Sequence, residues 1–533
     1  MEKRNLPIGI QDFEEIRKNN YIYVDKTDLI YKLATEGKPY FLARPRRFGK
    51  SLLVSTMKAY FEGRKDLFEG LAISKLEKKW EVHPVIHIDF SGAGKFATNE
   101  ELTDYLNFTL KNYEQEYGIT DVPNSLSLRF SKIIKTSHDQ SGKQVAVLID
   151  EYDKPLLDAL QTPDRDKNHY TMASFYGVLK SCDPYMCFLF LTGITKFAKV
   201  SIFSELNQLK DISMTADFTT ICGISEEELQ TNFTDYIKEF AETEDVTEEE
   251  LLQKLKQKYD GYHFSKRWKD MYNPFSLLNA FANKEFNSYW FQTATPKMLF
   301  GLIEDAHYDL TDILDGVQVK SSSFSDYRVG GGSLTPIIYH SGYLTIKDYD
   351  ERAKLYTLGF PNKEIQDGFT DFLLPLYTNF SEEKIALAMY KFKDALARND
   401  ISTFMKIFDA SVSPEFWSPT SSKEKRDEKL NNMYAYQVAF HAMLRMTGFD
   451  VVSEQQVIGG RVDVTLETSD TAYIFELKMD GGKPWGEVAA TALAQIEKKG
   501  YAARFLASAK KIYKIALVFS TELGGLAGYT VAE

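Results

Sequence analysis

The sequence of 533 residues predicts an α/β protein with one sheet near each end of the chain and a helical region between them. Two observations predict this class. In the first two hundred residues, short apolar runs without alternation are separated by long helical stretches, which is typical of a parallel sheet covered on both faces. In the last hundred residues, the elements follow the order helix, three strands, helix and strand. We therefore predict three domains, over residues 1–280, 281–420 and 421–533.

Composition and charge narrow the class of protein. Apolar residues make up 44% and aromatic residues 14% of the chain, which is a globular composition. The formal net charge of −12 is unlike that of a non-specific nucleic-acid binder, so any contact with nucleic acid is expected to be local. Cys182, Cys187 and Cys222 show no metal-ligand spacing, and we interpret them as reduced thiols of a cytoplasmic protein. We expect no signal peptide and no contact with a membrane.

Four apolar runs are the predicted strands of the first sheet. They lie at Tyr40–Ala43, Val85–Phe90, Val145–Ile149 and Cys187–Leu191. The third run is followed by Asp150-Glu151 and the fourth by Thr192-Gly193.

The loop after the first strand carries part of a phosphate-binding signature. A P-loop aims backbone N–H groups at phosphates, and adds a lysine for the β- and γ-phosphates and a hydroxyl for Mg²⁺. Gly49, Lys50 and Ser51 supply the last three residues of this signature, directly before a predicted helix. Arg44 stands where the full pattern has its first glycine, so the match is degenerate. Its position between a strand and a helix distinguishes it from a chance triplet.

Two carboxylates follow the third strand. In P-loop ATPases such an aspartate holds Mg²⁺ and the next glutamate polarises the attacking water. Asp150 and Glu151 occupy these positions. Taken alone, a strand that ends in Asp-Glu is more often a solvated edge. Together with the loop, it predicts a nucleotide site in which Ser51 and Asp150 bind the metal and Glu151 is catalytic.

Residues 5–280 resemble the AAA-ATPase-like family that is found in many gut bacteria. The resemblance rests on six segments, namely Tyr23–Thr27, Arg44–Leu52, Ile149–Pro155, Leu191–Lys196, Phe203–Asn207 and Asp260–Phe264. An arginine-rich loop is usual in that family, and the resemblance implies a P-loop NTPase-like domain. The candidate nucleotide-binding loop comprises Arg46, Arg47, Phe48, Gly49, Lys50, Ser51 and Leu52. The resemblance also implies that Thr195 senses the γ-phosphate; a plain strand-end hydroxyl is the open alternative.

The middle region is predicted to be mainly helical. Val329–Ser333 is a glycine-rich turn or linker, and Ser418–Ser422 is a second candidate boundary. Ile337–Ile346 resembles the winged-helix-like continuation of the same family. Two interpretations stay open for it, since winged helices bind DNA in some proteins and pack on a nucleotide domain in others.

Three charged residues stand out in the C-terminal αβββαβ pattern. Alternate residues of a strand share a face, so Glu476 and Lys478 point the same way, and Asp463 on the preceding strand of a hairpin can join them. Two carboxylates hold Mg²⁺ or Mn²⁺ through hard oxygen ligands, and a lysine stabilises charge during phosphodiester cleavage. For Glu-x-Lys alone, a surface ion pair on an edge strand is the simpler interpretation.

This constellation resembles the PD-(D/E)XK nuclease superfamily, which implies a restriction-endonuclease-like fold. Gln495, Lys499 and Tyr501 match a Gln-x-x-x-Lys-x-Tyr element that flanks the active site in a related bacterial family. The first helix of such domains often carries a metal-linked glutamate; here Gln437 is the candidate substitute. A cluster of cations near the C-terminus predicts a local phosphate-contacting patch, with a solvated helix face as the alternative. It comprises Lys498, Lys499, Arg504, Lys510, Lys511 and Lys514.

The leading hypothesis is a cytoplasmic bacterial ATPase and nuclease. It requires ATP and Mg²⁺ or Mn²⁺, takes DNA or RNA as substrate, and allows for an oligomer in which a neighbouring subunit supplies an arginine. Two rivals stay open. One is a non-catalytic nucleotide-responsive switch with a nucleic-acid-binding nuclease-like remnant. The other is an ATPase that acts on protein partners.

Overall fold

The computed structural model describes most of the chain. The described residues are 3–92, 94–196, 208–267, 269–293, 313, 316–324, 334–378, 382–412, 428–457, 460–506, 510–520, 522–523 and 525–533. The predicted linkers Val329–Ser333 and Ser418–Ser422 and the segment Phe203–Asn207 lie outside these residues. The chain divides into two compact units, the first comprising Met1–Tyr308 and Val317–Ile365, and the second Asp309–Gly316 and Gln366–Glu533. Whether residues 281–420 form a domain of their own stays a prediction.

A five-stranded parallel sheet organises the first unit. Its strands are β1 (Pro39–Ala43), β2 (Val85–Asp89), β3 (Val145–Asp150), β4 (Met186–Gly193) and β5 (Lys210–Asp211), in the spatial order β2-β3-β4-β1-β5. β3 is buried along its whole length and β4 at all but one position, as expected for strands covered on both faces. The predicted parallel α/β sheet is confirmed, and the four predicted strands lie within two residues of their observed ends.

Helices surround and extend this sheet. They are α1 (Phe13–Lys18), α2 (Thr27–Glu36), α3 (Lys50–Phe61), α4 (Ile73–Leu76), α5 (Asn99–Glu116), α6 (Leu126–Ser141), α7 (Lys154–Asp158), α8 (Arg165–Ser181), α9 (Glu226–Asn232), α10 (Thr234–Glu244), α11 (Glu248–Tyr259), α12 (Pro274–Asn283), α13 (Tyr289–Thr293) and α14 (Thr335–Ser341). Capping boxes begin α5, α9 and α11, where a Ser or Thr and a Glu three residues later bind each other's backbone N–H groups. The helices α9–α12 enclose an apolar core of their own.

A small antiparallel sheet completes the first unit. It contains β6 (Val317–Val319), β7 (Thr345–Asp350) and β8 (Leu355–Gly359), in the order β6-β8-β7. α14 ends at Gly342, which adopts the left-handed conformation with φ 93° and directs the chain into β7. A helix followed by an antiparallel hairpin agrees with the predicted winged-helix-like arrangement.

The second unit is a mixed sheet with helices on both faces. It contains α15 (Lys363–Tyr377), α16 (Glu382–Ala397), α17 (Ile401–Ser411), α18 (Glu428–Met446), β9 (Asp450–Val457), β10 (Gly460–Glu467), β11 (Thr471–Met479), α19 (Trp485–Lys498), β12 (Lys511–Ser520) and β13 (Gly525–Ala532). The strand order is β13-β12-β11-β10-β9, and only β11 and β12 pair in parallel. The αβββαβ order is confirmed, and β13 adds an antiparallel strand that the glycine-rich segment Gly525–Ala532 did not predict.

Two apolar layers hold this sheet. Val464, Phe475 and Leu477 face a large core that includes Phe404 and Phe440 from the helices. On the other face, α19 packs on smaller clusters. The alternation along β11 places Glu476 on the α19 side, next to β10, which carries Asp463.

Candidate functional site

The candidate nucleotide site begins at the carboxyl end of β1. Gly49 caps α3 in the left-handed conformation with φ 89°, a conformation that glycine adopts without strain. Arg47 also has a positive φ, of 67°, which is strained for a residue with a side chain. The loop therefore turns sharply into the amino end of a twelve-residue helix, where free N–H groups favour an anion.

Lys50 is held by its own loop. Its ammonium donates to the carbonyl oxygens of Arg44 and Pro45, each at 3.0 Å, and the residue is 6% exposed. Burial lowers the pKa of Lys50, while Glu151 and Asp150 act in the opposite direction. The lysine thus lies at the site without binding either carboxylate.

The end of β3 supplies the acidic side of the site. The Asp150 carboxylate is almost fully buried, and burial raises the pKa of Asp150 to about 6, while the Ser51 side chain acts in the opposite direction. Glu151 has φ 50°, so the chain turns immediately after the strand. The structure therefore brings Lys50, Ser51, Asp150 and Glu151 together at one edge of the sheet, as the sequence predicts.

Asp153 is a residue of this region that sequence reasoning did not single out. Its carboxylate accepts hydrogen bonds from the backbone N–H of Ile194, at 3.1 and 3.2 Å, and from that of Thr195, at 2.5 Å. A Cβ on Gly193 would lie 2.3 Å from the Asp153 carboxylate, so only glycine fits there. Asp153 belongs to the segment Ile149–Pro155, which carries the family resemblance. Its hydrogen-bond partners, Ile194 and Thr195, lie about forty residues further along the chain, so the sequence did not reveal its role. Asp153 fixes the position of Thr195 relative to β3.

Thr195 itself is fully buried. Among the described residues, its hydroxyl has no hydrogen-bond partner, and the same holds for the hydroxyl of Thr192 on β4. The Tyr152 hydroxyl donates to the Thr195 carbonyl oxygen at 2.8 Å. A buried hydroxyl without a partner at a strand end is available to a ligand.

Arg44 and Phe48 are buried in the core of the first unit. The Arg44 guanidinium is 1% exposed and donates to the carbonyl oxygens of Ala43, Ser213 and Phe218 at 2.7–3.1 Å. It also lies over the Phe264 ring, 4.1 Å from the centroid. The Phe48 ring is 1% exposed and packs edge-on against Tyr262 and Phe264. In the place of the first P-loop glycine, the chain therefore has a cation that ties the loop to three other segments.

A cavity of about 450 Å³ lies over the loop. Arg46 and Arg47 are exposed at its wall, and the Arg47 guanidinium lies 4.9 Å from the centroid of the Phe275 ring. Its lining also includes a lysine, Lys154, that was not among the predicted site residues. The cavity is lined by Pro7–Gln11, Arg46, Arg47, Gly49, Lys50, Ser51, Leu52, Ser91, Glu151, Lys154, Pro274, Phe275, Leu278 and Trp290. Cationic, polar and apolar walls of this kind suit a ligand that has phosphates and a ring.

The second candidate site lies on the hairpin of β10 and β11. Val464 pairs with Phe475, so the residues before and after this pair, Asp463 and Glu476, lie at the position where the two strands separate. The Asp463 carboxylate accepts a hydrogen bond of 2.8 Å from the backbone N–H of Leu477. The hairpin therefore brings both predicted carboxylates to the same place.

Glu476 is the centre of this site. It is fully buried, and its Oε1 accepts hydrogen bonds from the Lys478 ammonium at 2.6 Å and from the Gln495 amide. Its Oε2 is buried without a hydrogen-bond partner among the described residues. Burial, and then the charge of Asp463, raise the pKa of Glu476, while Lys478 and Lys499 act in the opposite direction.

The supporting residues occupy different positions. Gln495 contacts Glu476 directly, and Lys499 is close enough to act on it electrostatically. Tyr501 is 1% exposed in the apolar cluster beneath α19. Gln437 lies half-buried on α18, and no hydrogen bond described for the chain joins it to Glu476. Its predicted role as a substitute for a glutamate stays a prediction.

Most of the predicted cationic patch is paired with carboxylates. Arg504 and Lys510 both bind Glu467, at 3.2 and 2.9 Å. Lys514 binds Glu497 at 2.5 Å, and Lys511 binds Glu533 at 2.8 Å. Glu467 and Glu533 come from other parts of the sequence, and Glu497 directly precedes Lys498, so the absence of acids within the cluster did not reveal these pairs. The phosphate-contacting patch stays a prediction, in which these four cations would exchange carboxylates for phosphates.

The chemistry of both sites fits a divalent cation. Mg²⁺ commonly takes one or two protein carboxylates and completes its shell with water or phosphate oxygens. In the second site, Oε2 of Glu476 has no hydrogen-bond partner among the described residues and lies beside Asp463; in the first site, the Ser51 side chain is close enough to lower the pKa of Asp150. Over the described residues, no group of three or more His, Cys, Asp and Glu is arranged to hold a metal. A two-carboxylate Mg²⁺ site is the type that these residues fit.

The fold and the two sites define a class of protein, in which an AAA-ATPase-like domain precedes a nuclease-superfamily domain. Residues 7–203 match the family described as "Predicted AAA-ATPase", and residues 433–524 match that described as "PD-(D/E)XK nuclease superfamily". A relative from Azotobacter chroococcum mcd 1, described as "Uncharacterized protein in vnfD 5'region", is 32% identical over 542 residues, which cover 100% of this chain and 99% of the relative. The chain belongs to the same family as this relative.

Within the described residues, no helix has both the length and the apolar character needed to cross a membrane.

Proposed function

We propose that the first unit binds and hydrolyses ATP with Mg²⁺, and that the second unit cleaves phosphodiester bonds of DNA or RNA with Mg²⁺ or Mn²⁺. One observation carries the proposal of cleavage. The fully buried Glu476 has one oxygen bound by Lys478 and Gln495, and its other oxygen, next to Asp463, has no hydrogen-bond partner in the described part of the chain. A buried carboxylate oxygen without a partner costs free energy unless a ligand completes it.

In the first unit, the proposed role of each residue follows from its position. The Lys50 ammonium exchanges the two loop carbonyls for oxygens of the β- and γ-phosphates, which are stronger acceptors because they are charged. Ser51 and Asp150 hold Mg²⁺, which supplies positive charge next to the phosphates. Glu151 orients the attacking water, and the buried hydroxyl of Thr195 donates to the γ-phosphate.

In the second unit, Asp463 and Glu476 hold the divalent cation, which neutralises the scissile phosphate and lowers the pKa of a bound water. Lys478 is 35% exposed at its side chain, so its ammonium can leave Glu476 and reach the phosphate oxygens. Gln495 keeps the Glu476 carboxylate oriented. Lys499 adds positive charge at the same place.

Two observations favour a second function. Lys50 is bound to its own loop, and the helix that often carries a metal-linked glutamate has Gln437 instead. Both features suit a nucleotide-responsive switch whose nuclease-like domain binds nucleic acid without cleaving it. We rank this function below the catalytic one because the charged residues that the chemistry requires are present in both sites.

A cleavage assay with matched variants tests the proposal. Plasmid, linear DNA and structured RNA are incubated with the full chain and Mg²⁺ or Mn²⁺, with and without ATP. We expect cleavage by the wild type and by Lys483→Ala, which removes an exposed lysine that follows β11, and none by Lys478→Ala. An effect of ATP that disappears in Lys50→Ala shows that the two units are coupled.

Two outcomes contradict the proposal. Equal cleavage by Lys478→Ala and the wild type would assign the activity to another site or to a contaminant. Binding of ATP without cleavage of any substrate would favour the switch. Size measurements with and without ATP test the proposed oligomer. Cell fractionation tests the proposed cytoplasmic location.

A further inference from the structure

The tryptophan at the start of α19 lies at the protein surface. Trp485 is 43% exposed, whereas Trp290 is 1% exposed and Trp80 is half-buried. Trp485 is thus the one exposed tryptophan among the residues that the structure describes. Large apolar side chains are usually buried, and tryptophan is enriched where a protein meets a partner. The proposed cleavage chemistry gives this side chain no role.

The indole of Trp485 lies flat on the edge strand β13. A Cβ built on Gly528 would lie 2.6–2.8 Å from three ring atoms of Trp485, namely Cδ2, Cε2 and Cε3. Because Cδ2 and Cε2 join the two rings of the indole, a point equally close to all three atoms lies over the face of the ring and not at its edge. Gly528 therefore holds one face of the indole against the sheet, and the opposite face is directed away from the sheet.

Trp485 and Lys478 lie on the same face of this sheet. Lys478 on β11 pairs with Val518 on β12, and Val518 pairs with Gly528 on β13, so these three residues form one row across the strands. Paired residues of neighbouring strands point to the same face. Val518 packs against alanines of α19, so this is the face that α19 covers.

The separation within this row suits one strand of nucleic acid. Neighbouring strands of a sheet lie about 4.8 Å apart, so two steps place the Cα atoms of Lys478 and Gly528 about 10 Å apart. Successive nucleotides of one strand are about 3.4 Å apart when their bases are stacked. A strand that has a phosphate at Lys478 therefore brings a base to Trp485 within about three nucleotides.

The free face of an indole favours unpaired bases. Inside a duplex, each base is covered on both faces by its neighbours, whereas a base of a single strand can stack on an aromatic ring. Stacking also requires no positive surface. This suits a chain of net charge −12, in which four cations near the C-terminus are paired with carboxylates, namely Arg504, Lys510, Lys511 and Lys514.

We propose that Trp485 is a stacking platform for an unpaired base of single-stranded DNA or RNA, a strand whose phosphate lies at Lys478. The proposal rests on the proposed nuclease site and names the form of its substrate, which is a single strand or an unpaired segment. Stacking on Trp485 holds the strand in the register that brings a phosphate to Glu476 and Lys478. Both DNA and RNA offer base faces, so the platform accepts either.

Equilibrium binding of labelled oligothymidylate and oligouridylate tests the platform, with relaxed closed-circular plasmid as a duplex probe that has no ends. Binding is measured with Mg²⁺ on the full chain carrying Lys478→Ala, in which no cleavage is expected. Adding Trp485→Leu should weaken binding of both oligonucleotides by about fivefold to a hundredfold, because leucine covers Gly528 but has no ring face. Trp485→Phe keeps a flat ring and should retain most of the affinity.

Salt distinguishes stacking from an ionic contact. The affinity for every probe should fall as salt rises, because phosphate contacts are screened. The ratio of affinities between the parent and Trp485→Leu should stay constant, because the lost contact carries no charge. Plasmid binding should be the same in both proteins.

Two further variants keep the test decisive. Tyr390→Leu removes an exposed aromatic ring on α16 and should bind every probe as the parent does. Gly528→Ala displaces the indole without changing it, because the new Cβ would lie 2.6 Å from the ring. It should weaken binding of the oligonucleotides alone, and it replaces Trp485→Leu if that variant unfolds at a lower temperature than the parent.

The outcomes separate this inference from the function on which it rests. Unchanged oligonucleotide binding in both Trp485→Leu and Gly528→Ala, or an equal loss of plasmid binding, would overturn the platform and leave any cleavage by the wild type intact. A loss specific to single strands, with no cleavage of any substrate by the wild type, would support the platform and overturn the cleavage. A loss for only one oligonucleotide would assign the platform to DNA or to RNA alone. Failure of every probe to bind would overturn both proposals.

Discussion

The two candidate sites place a lysine and two carboxylates together in different ways. In the first unit, Lys50 lies on a helix and Asp150 at the end of a strand, and the lysine binds the carbonyl oxygens of its own loop. In the second unit, Glu476 and Lys478 lie two residues apart on one strand, and the lysine binds the glutamate directly at 2.6 Å. The first arrangement depends on the topology of a sheet, the second on the alternation of a single strand.

The difference concerns what each lysine must do when a ligand binds. When a phosphate binds, Lys50 exchanges two neutral carbonyl acceptors for charged phosphate oxygens, which accept stronger hydrogen bonds. Lys478 gives up a charged partner, and this is favourable only when another cation takes its place at Glu476. We therefore expect phosphate binding to depend strongly on a divalent metal in the second site and less strongly in the first.

The largest expected effect is that of Glu476→Gln. Loss of the buried charge removes a metal ligand, and we expect the rate of cleavage to fall by about 10²–10³-fold, as when one stabilising group is removed from other active sites. The measurement is the initial rate of plasmid nicking with Mg²⁺ or Mn²⁺.

Glu497→Gln is its matched control, because Glu497 is an exposed residue on α19 that pairs with Lys514. This variant should cleave at the rate of the wild type. Equal losses in both variants would show that the effect is not specific to the buried carboxylate.

The next effect is that of Lys50→Ala on nucleotide binding. Because charge-assisted contacts to phosphate are lost, we expect affinity for ATP to fall by about tenfold to a hundredfold, measured by calorimetry. Lys58→Ala on the same helix removes a half-exposed lysine that lies 3.8 Å from Glu62, and it should bind as the wild type does. If Lys50→Ala binds ATP normally, the ammonium does not leave its loop carbonyls.

A smaller effect on stability tests the link between β3 and β4. In Gly193→Ala, the new Cβ would lie 2.3 Å from the Asp153 carboxylate and 2.7 Å from the Tyr152 ring. We expect the free energy of unfolding to fall by about 1–3 kcal/mol, in the range of overpacked cores. Gly92→Ala is the control for denaturant unfolding, because a Cβ there meets no atom of the described residues within 4 Å. Equal midpoints for the two variants would contradict the close packing at Gly193.

A last test concerns a buried carboxylate that belongs to neither site. Asp260 is 1% exposed outside both sites, and burial raises its pKa to about 7. The folded state therefore keeps a proton that the unfolded state releases near pH 4, so this residue destabilises the fold increasingly as pH rises from about 4 to about 7. Relative to Asp260→Asn, the wild type should lose unfolding free energy over that window and show a constant difference above pH 8.

Asp121→Asn is the control for this pH dependence, because the Asp121 side chain is 99% exposed. Its unfolding free energy should follow that of the wild type at every pH. A flat difference between the wild type and Asp260→Asn would show that Asp260 keeps its ordinary acidity when buried.

Local patterns predicted the strands and the strand-borne site. The unbroken apolar runs gave the four long strands of the first sheet, and alternation alone placed Glu476 and Lys478 on one face. β5 is only two residues long and β13 is rich in glycine, so neither has a pattern that distinguishes it from a loop. Elements form where the local pattern is strong, and short or glycine-rich strands form because a neighbouring strand is there to pair with.

Contacts between distant segments were not predictable from local patterns. Nothing near Arg44 in the sequence shows that Ser213 and Phe218 accept its hydrogen bonds, and Phe48 reads as a loop residue although it is buried. Likewise, nothing in the sequence near Arg504 and Lys510 shows that both of them bind Glu467, which lies on β10. The tertiary fold determines these partners, and they lie too far apart in the sequence for a periodic pattern to reveal them.

The buried guanidinium of Arg44 has a consequence for how this loop can be exchanged between proteins. A glycine-first phosphate loop grafted in its place would leave the carbonyl oxygens of Ser213 and Phe218 without donors and the Phe264 ring without its cation. A grafted loop would therefore need substitutions elsewhere that supply new hydrogen-bond donors to these two carbonyl oxygens. The loop and its supports are therefore inherited together, and a homologue that has lost the arginine should carry compensating changes at the positions that Arg44 contacts.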